Sequence, residues 1–216
     1  MITGLAQELI RHIDEYGLPG EHAHTRLSPY GRIPASEALQ QLKVKPKMSA
    51  VLILLFPEGN EIHNVLIKRP AYNGVHSGQM AFPGGRKDDT DADLWVTALR
   101  EAEEEIGTPR ADIRLIHAVT PVYIPPSNFL VHPFLAYADH KPGFIPDPRE
   151  VDSIHTYPVH WLTEDDVIKV TNVNTGVGPL RMNVPYFDLN GQVVWGATAL
   201  MLNELRDLLL RMDIRS

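Results

Sequence analysis

Phe82-Pro-Gly-Gly-Arg-Lys-Asp-Asp-Thr-Asp-Ala-Asp-Leu-Trp-Val-Thr-Ala-Leu-Arg-Glu-Ala-Glu-Glu-Glu-Ile-Gly107 is the stretch on which the reading of this chain turns. Leu94 to Ile106 has the spacing of an amphipathic helix. At about 100° per residue, with Glu101 set at zero, Glu105 falls near about 40° and Glu104 near about 300°. These acids therefore share an arc of about 100°, while Trp95, Ala98, Leu99, Ala102 and Ile106 occupy the neighbouring arc that would be buried. Glu103 falls near about 200°, away from the other three. Like charges three and four apart destabilise a bare helix. A hard divalent cation such as magnesium or manganese is the natural compensation, because it prefers carboxylate and water oxygens. A solvated acidic face is the alternative for the Glu-Ala-Glu-Glu-Glu string taken alone.

Upstream, Tyr72 to Gly85 contains four glycines and ends in Pro-Gly-Gly, a shaped loop feeding this helix. Before it, Ser49 to Phe56 is a buried-strand run, Pro57 to Asn60 a turn, and His63 to Lys68 a second strand. Ser36 to Leu42 reads as a short helix with Ser36 as N-cap. Gly17 to Pro34 reads as an irregular connection after an amphipathic first helix, in which Leu5, Leu9 and Ile13 recur four apart. Downstream, strands are expected at Ile113 to Val119, Leu130 to Ala138 and Ile154 to Trp161. Thr163 to Val170 reads as a short Thr-capped helix. Val184 to Leu189 and Gln192 to Trp195 flank Asn190-Gly191, a hairpin signal, and a last helix runs from about Ala197 to Met212. The alternation predicts an α/β fold, a mixed sheet covered by helices on both faces. One domain is expected over 1–216, with 1–45 a helical extension and 46–216 the core with its C-terminal helix.

The 216 residues suffice for a substantial core, and the net charge of −7 argues against a general nucleic-acid partner. It does not argue against a phosphate substrate, since acids loaded with divalent cations present a positive local field. With no cysteine, disulfides, thiolate nucleophiles and zinc–thiolate sites are excluded. The N-terminus lacks a signal-peptide core and the apolar runs are too short to span a bilayer, so the expectation is a cytoplasmic protein with no membrane partner. The Gly74-Val-His-Ser-Gly78 run lacks the G-x-S-x-G spacing of a nucleophile elbow, and there is no G-x-x-x-x-G-K-[S/T] phosphate loop.

Gly85, Arg100, Glu101, Glu104, Glu105 and Gly107 occupy positions that resemble the Nudix box, G-x5-E-x7-R-E-U-x-E-E-x-G-U. The pattern's first Glu falls at Asp91, followed by eight residues before Arg100 rather than seven. The preceding run, Arg69 to Gly85 with His76-Ser-Gly-Gln79 and Ala81-Phe-Pro-Gly-Gly85, is similar to the signature of the coenzyme A pyrophosphatase branch, in which an Asp-rich insert is a trait.

This resemblance implies the Nudix α/β/α sandwich and hydrolysis of a nucleoside diphosphate linkage. For coenzyme A the products would be 3′,5′-ADP and 4′-phosphopantetheine. ADP-ribose or a nucleotide sugar is the alternative substrate, and a non-catalytic nucleotide-binding module the alternative class. Mg2+ or Mn2+ is the implied cofactor, with Glu101 and Glu105 as first ligands, Glu104 as a further ligand or the base, and the Gly84 or Gly85 carbonyl completing the shell. Arg100 is expected to orient the acids, and Glu150, in Asp147-Pro-Arg-Glu-Val151, to supply another catalytic carboxylate. Arg69, His76, Ser77, Gln79 and Phe82 are the expected substrate contacts, with a small-molecule nucleotide as partner; a homodimer is left open.

Overall fold

The computed structural model describes residues 2–28, 33–71, 78–174 and 181–212. Helices α1 (Ile2–Tyr16), α2 (Glu21–Thr25) and α3 (Ala35–Gln40) precede strands β1 (Lys47–Glu58), β2 (Glu61–Lys68), β3 (Met80–Ala81) and β4 (Gly84–Arg86). Helix α4 (Leu94–Ile106) leads into β5 (Arg114–Ala118), β6 (Val122–Ile124), β7 (Phe129–Tyr137) and β8 (Ser153–Pro158). The chain continues through β9 (Ile168–Asn174), β10 (Arg181–Leu189) and β11 (Gln192–Val194) to α5 (Gly196–Arg211).

The main sheet is mixed, with the order β3-β2-β1-β7-β5. Strand β1 runs parallel to β7 and antiparallel to its other partners. The alternation of β1 decides which layer each residue enters. Leu52, Leu54 and Phe56 face α4, together with Val65, Ile67, Ala102 and Ile106. Ile53 and Leu55 face the opposite way, into a larger core with Leu9 and Ile13 of α1 and Leu202, Leu205 and Leu209 of α5. Each such side chain contributes roughly 1.5–3 kcal/mol on full burial, so a slip of one residue in β1 would forfeit both layers at once. Helices therefore cover both faces of the sheet, as the sequence predicts.

One feature of β1 prepares the site. Strand β2 pairs with it only over Leu55–Glu58, and β4 takes the vacated edge, with Ala50 opposite Gly85 and Val51 opposite Gly84. Part of the expected loop is thus strand. Three further expectations are corrected. Ser36 is not an N-cap; Pro34 precedes α3, and the Ser36 hydroxyl instead bonds Glu21. The segment from Thr163 is not a helix: a 3₁₀ turn ends there, and the β-branched run Ile168-Lys-Val-Thr-Asn-Val173 pairs with β10. The Gly17 to Pro34 connection contains the short helix α2. The Asn190-Gly191 hairpin is present, both residues having positive φ (53° and 78°) as a type I′ turn requires.

The N-terminal extension is pinned to the core by Glu204 of α5, whose surface is 0% exposed. Its carboxylate accepts the Gly20 N–H at 3.1 Å and the Thr120 hydroxyl at 2.6 Å, and lies 3.1 Å from His24 Nε2. A buried carboxylate is tolerable only with such partners. Removing it leaves buried His24, a backbone N–H and a hydroxyl unpaired. Glu204→Ala should therefore lower the unfolding free energy by about 3–5 kcal/mol in urea titrations. A loss no larger than that of an exposed substitution would show that the pin carries no weight.

Candidate active site

The N-terminus of α4 is fixed by Asp93, whose carboxylate accepts the Val96 N–H at 2.8 Å. The C-terminus closes on Gly107 in the left-handed conformation, its N–H bonded to the Glu103 carbonyl at 3.0 Å. The helix lies against β4, and the two glycines there set how close it comes. A Cβ on Gly84, whose φ is +149°, would stand 2.6 Å from Val51 Cα, and one on Gly85 would overlap the Glu101 carboxylate. Without side chains at both positions, the helix acids reach the strand's backbone. Glu105, 1% exposed, accepts the Gly84 N–H at 2.7 Å.

The loop that follows β7 supplies the third acid. Phe144 packs edge-on against Phe56, ring centroids 5.3 Å apart. The Ile145 and Asp147 N–H groups then bond the Ile106 and Glu105 carbonyls at 2.9 and 3.0 Å. These are C-terminal helix carbonyls that α4 cannot satisfy itself. The Asp147 carbonyl accepts the Glu150 and Val151 N–H groups at 3.1 and 2.8 Å, and Val151 is buried against the α4 layer. Glu150 is left exposed but fixed at its base. One carboxylate oxygen from each of Glu101, Glu105 and Glu150 lies within 4.8 Å of the others.

Burial pushes the Glu105 carboxyl up to about 8, against the pull of the Gly84 N–H and of Arg69, with the charges of Glu101 and Glu150 adding to the rise. Burial also raises Glu101, opposed by Arg100. A desolvated cluster of acids held together is unfavourable unless a cation joins it. An all-oxygen donor set of three carboxylates fits Mg2+ or Mn2+. Glu101, Glu105 and Glu150 would hold it.

Arg100 organises the outer ring of acids. Its Nε and Nη2 grip Asp91 at 3.0 and 2.9 Å, and its Nη1 reaches Glu101 at 2.9 Å and Glu104 at 3.0 Å. Nη2 also bonds the Arg86 carbonyl at 3.1 Å, tying α4 to β4. Asp91 is nearly buried and further accepts the Asp88 N–H and the Thr97 hydroxyl, each at 2.9 Å. The guanidinium foremost, with these donors, holds its carboxyl far below the usual carboxylate range.

The structure thus divides the expected residues. Glu101, Glu105 and Glu150 come together, with Gly85 against Glu101 and Arg69 near enough to Glu105 to favour its charge. Glu104 does not join that group: its side chain is 56% exposed and engaged by Arg100. Phe82 is corrected as a substrate contact, because it is 1% exposed and packs in the core shared with α1 and α5. Gln79 accepts the Arg69 N–H through its carbonyl at 3.1 Å, at the base of the loop. His76 and Ser77 lie outside the described residues. Asp91 is the residue whose function the sequence left open. It is spent on Arg100, and the signal was its place six positions after Gly85, where the box pattern puts an acid.

The raised Glu105 gives a pH signature that needs no turnover. Its folded value lies above its unfolded one, so its contribution to stability is complete below the unfolded value and lost as pH rises through about 8. Cation-free protein should show a Tm that falls between pH 6 and 9 more steeply than that of Glu105→Gln, and added Mg2+ should restore it. Parallel curves for the two proteins would contradict the assignment.

Comparison with known proteins gives a consistent placement. The NUDIX domain model matches residues 46–179. "Nudix hydrolase 15, mitochondrial" of Arabidopsis thaliana is 30% identical over 73% of this chain and 56% of its own length. "Mitochondrial coenzyme A diphosphatase NUDT8" of Homo sapiens is 30% identical over 76% of this chain and 70% of that protein. "Peroxisomal coenzyme A diphosphatase ndx-8" of Caenorhabditis elegans is 36% identical over 54% and 51%. The chain therefore spans little more than half the length of the plant and nematode relatives. A MutT/nudix family protein from Enterococcus faecalis shares the fold, with a TM-score of 0.54 at 15% identity, covering 88% of this chain and 73% of that one. The box geometry and these relatives agree: the chain belongs to the Nudix family.

Proposed function

We propose that this chain hydrolyses the diphosphate linkage of coenzyme A or a derivative, releasing 3′,5′-ADP and 4′-phosphopantetheine. The observation that carries the hydrolysis is the convergence of Glu101, Glu105 and Glu150 within 4.8 Å beside Arg69. Coenzyme A as substrate is supported by the run from His76 to Gly85 and by the names of the human and nematode relatives. We assign Mg2+ or Mn2+ to the three carboxylates. Such an ion neutralises phosphate oxygens and makes water more acidic.

The chain's own residues do the rest. Arg69 draws the anionic diphosphate toward the acids. Glu150, exposed at the mouth, accepts the proton of the attacking water as its oxygen bonds phosphorus and the bridging P–O bond breaks. Glu105, held by the Gly84 N–H, and Glu101, resting on Gly85, fix the position of that event. Arg100 keeps Glu101 and Glu104 in place while remaining anchored on Asp91. Retention of all these acids favours catalysis over a binding-only role.

Glu101→Gln and Glu105→Gln should each lower kcat by orders of magnitude, and Glu103→Gln, whose carboxylate is paired with Arg110 at 2.7 Å on the outer face, should leave it within about twofold. Glu104→Gln should fall between them. Equal loss at all four positions would contradict the division of roles. Substrate identity is tested by a panel of coenzyme A, ADP-ribose and nucleotide sugars with Mg2+ and Mn2+, read by product mass. Turnover of ADP-ribose without cleavage of coenzyme A would overturn the assignment.

A further inference from the structure

Glu150 reaches the carboxylate cluster from the tip of the loop after β7, where Pro148, Arg149 and Glu150 are all exposed. Both ends of this segment are anchored. Upstream, the Asp147 N–H bonds the Glu105 carbonyl at 3.0 Å. Downstream, Val151 is 2% exposed and the Asp152 N–H bonds the Lys68 carbonyl at 2.8 Å. The backbone between these anchors sets the direction in which the Glu150 side chain leaves the loop.

Asp147 shapes that backbone. The local sequence is Pro146-Asp-Pro-Arg-Glu150. Proline fixes φ at roughly −65°, which suits Pro148 to the second position of a turn, and aspartate is favoured at the first. The Asp147 carbonyl accepts the Glu150 N–H at 3.1 Å and closes that turn. Its Oδ1 accepts the Arg149 N–H at 2.9 Å, two residues ahead, as in an Asx turn. Two hydrogen bonds in series therefore run from the Glu105 carbonyl to the Glu150 N–H through one residue. The Asp147 carboxylate also meets the Arg149 guanidinium, with Oδ2 2.6 Å from Nη2. That arginine side chain is 84% exposed, so the ion pair adds little beside the turn.

We propose that Asp147 is a positioning residue for Glu150, its carboxylate acting through the Arg149 N–H rather than through the Arg149 charge. The proposal rests on the reading of Glu150 as one of three carboxylates that hold a divalent cation, and it deepens that reading. Without the Asx bond, residues 148–150 keep their anchors and lose their fixed direction, so Glu150 spends less time within reach of Glu101 and Glu105. Loss of a group that orients a ligand from outside commonly costs about 10–100-fold in metal affinity or activity.

The test is Mn2+ titration of the full chain by calorimetry, with kcat and KM for coenzyme A measured at saturating Mn2+. Asp147→Ala should weaken Mn2+ binding by about tenfold and lower kcat by a similar factor, leaving KM within about twofold. Asp147→Asn should stay within about threefold of wild type, because its amide oxygen still accepts the Arg149 N–H, and Arg149→Ala should match it in Mn2+ affinity. In a Glu150→Gln background, Asp147→Ala should cost less than about twofold, since its effect passes through the missing carboxylate. A merely structural role would give the full loss there too; circular dichroism checks that each variant is folded. Unchanged Mn2+ affinity in Asp147→Ala, equal losses for the Ala and Asn variants, or an undiminished effect beside Glu150→Gln would overturn the proposal. A wild-type chain that binds no Mn2+ overturns the cation site as well. The predicted Mn2+ pattern without coenzyme A turnover removes only the substrate, while coenzyme A turnover with an Asp147→Ala variant like wild type removes only the positioning role.

Discussion

The distance between α4 and β4 governs this molecule's chemistry. A helix normally stands off a sheet by the thickness of two side-chain layers, with apolar groups between. Here Gly84 and Gly85 remove one layer at the point where Glu101 and Glu105 descend, and the Gly84 N–H is offered to a carboxylate instead of to a strand. The exchange is unfavourable in isolation, since Glu105 is buried with its charge opposed by its surroundings. It persists because Trp95, Ala98, Ala102 and Ile106 pack the same helix onto the α4 side of the sheet. The unfavourable burial is confined to Glu105 and its neighbours, while the stabilising contacts are spread along the helix.

The four helix glutamates look equivalent in the chain but meet different fates. Arg100 is the cause. By gripping Asp91 bidentately it becomes a fixed positive centre, and whichever acids lie within its reach are neutralised in pairs. Glu104 falls to it and stays at the surface. Glu101 is shared, touching Arg100 with one oxygen and facing the cluster. Glu105, a full turn further on, is beyond it, and the Gly84 N–H and Arg69 do not offset its burial. Glu103 turns away to Arg110. A rotation angle assigns these acids to a face; the arginine decides which of them remain available.

Much of this was legible in the sequence. The period of α4, the alternation of β1 and the Asn190-Gly191 turn are local signals, and each produced its element. So did the separation of Glu103 from Glu101 and Glu105. The failures share a cause, which is contact over long sequence distance. Thr163 to Val170 satisfies helix rules locally, yet Ile168 onward becomes a strand because β10 is there to pair with it. Phe82 sits within a substrate motif, but it is buried in the core to which α1 and α5 contribute. The convergence of Glu150 depends on hydrogen bonds from Ile145 and Asp147 to the end of α4, which no window around residue 150 contains. Asp91 had the right chemistry and the wrong apparent spacing to Arg100, and it is the Asp88 N–H and the Arg100 guanidinium that hold it in place.

For a chain of net charge −7, the proposed polyanionic substrate poses an electrostatic problem, and the basic residues bear on it. Arg100 is committed internally, so it lends no net attraction to a ligand. Arg69 and Lys68 differ: one is felt by the buried Glu105, the other meets an exposed Asp152 across a loose contact of 3.7 Å. Contacts of that kind are worth little in water. The acids at the bottom of the cleft work in the opposite sense, repelling a diphosphate until a cation offsets them. On the proposed reading, attraction by Arg69 and repulsion by the acids would together make affinity for a diphosphate conditional on the cation. A diphosphate drawn toward Arg69 would, on that reading, settle against α4 only where positive charge has already met Glu101, Glu105 and Glu150.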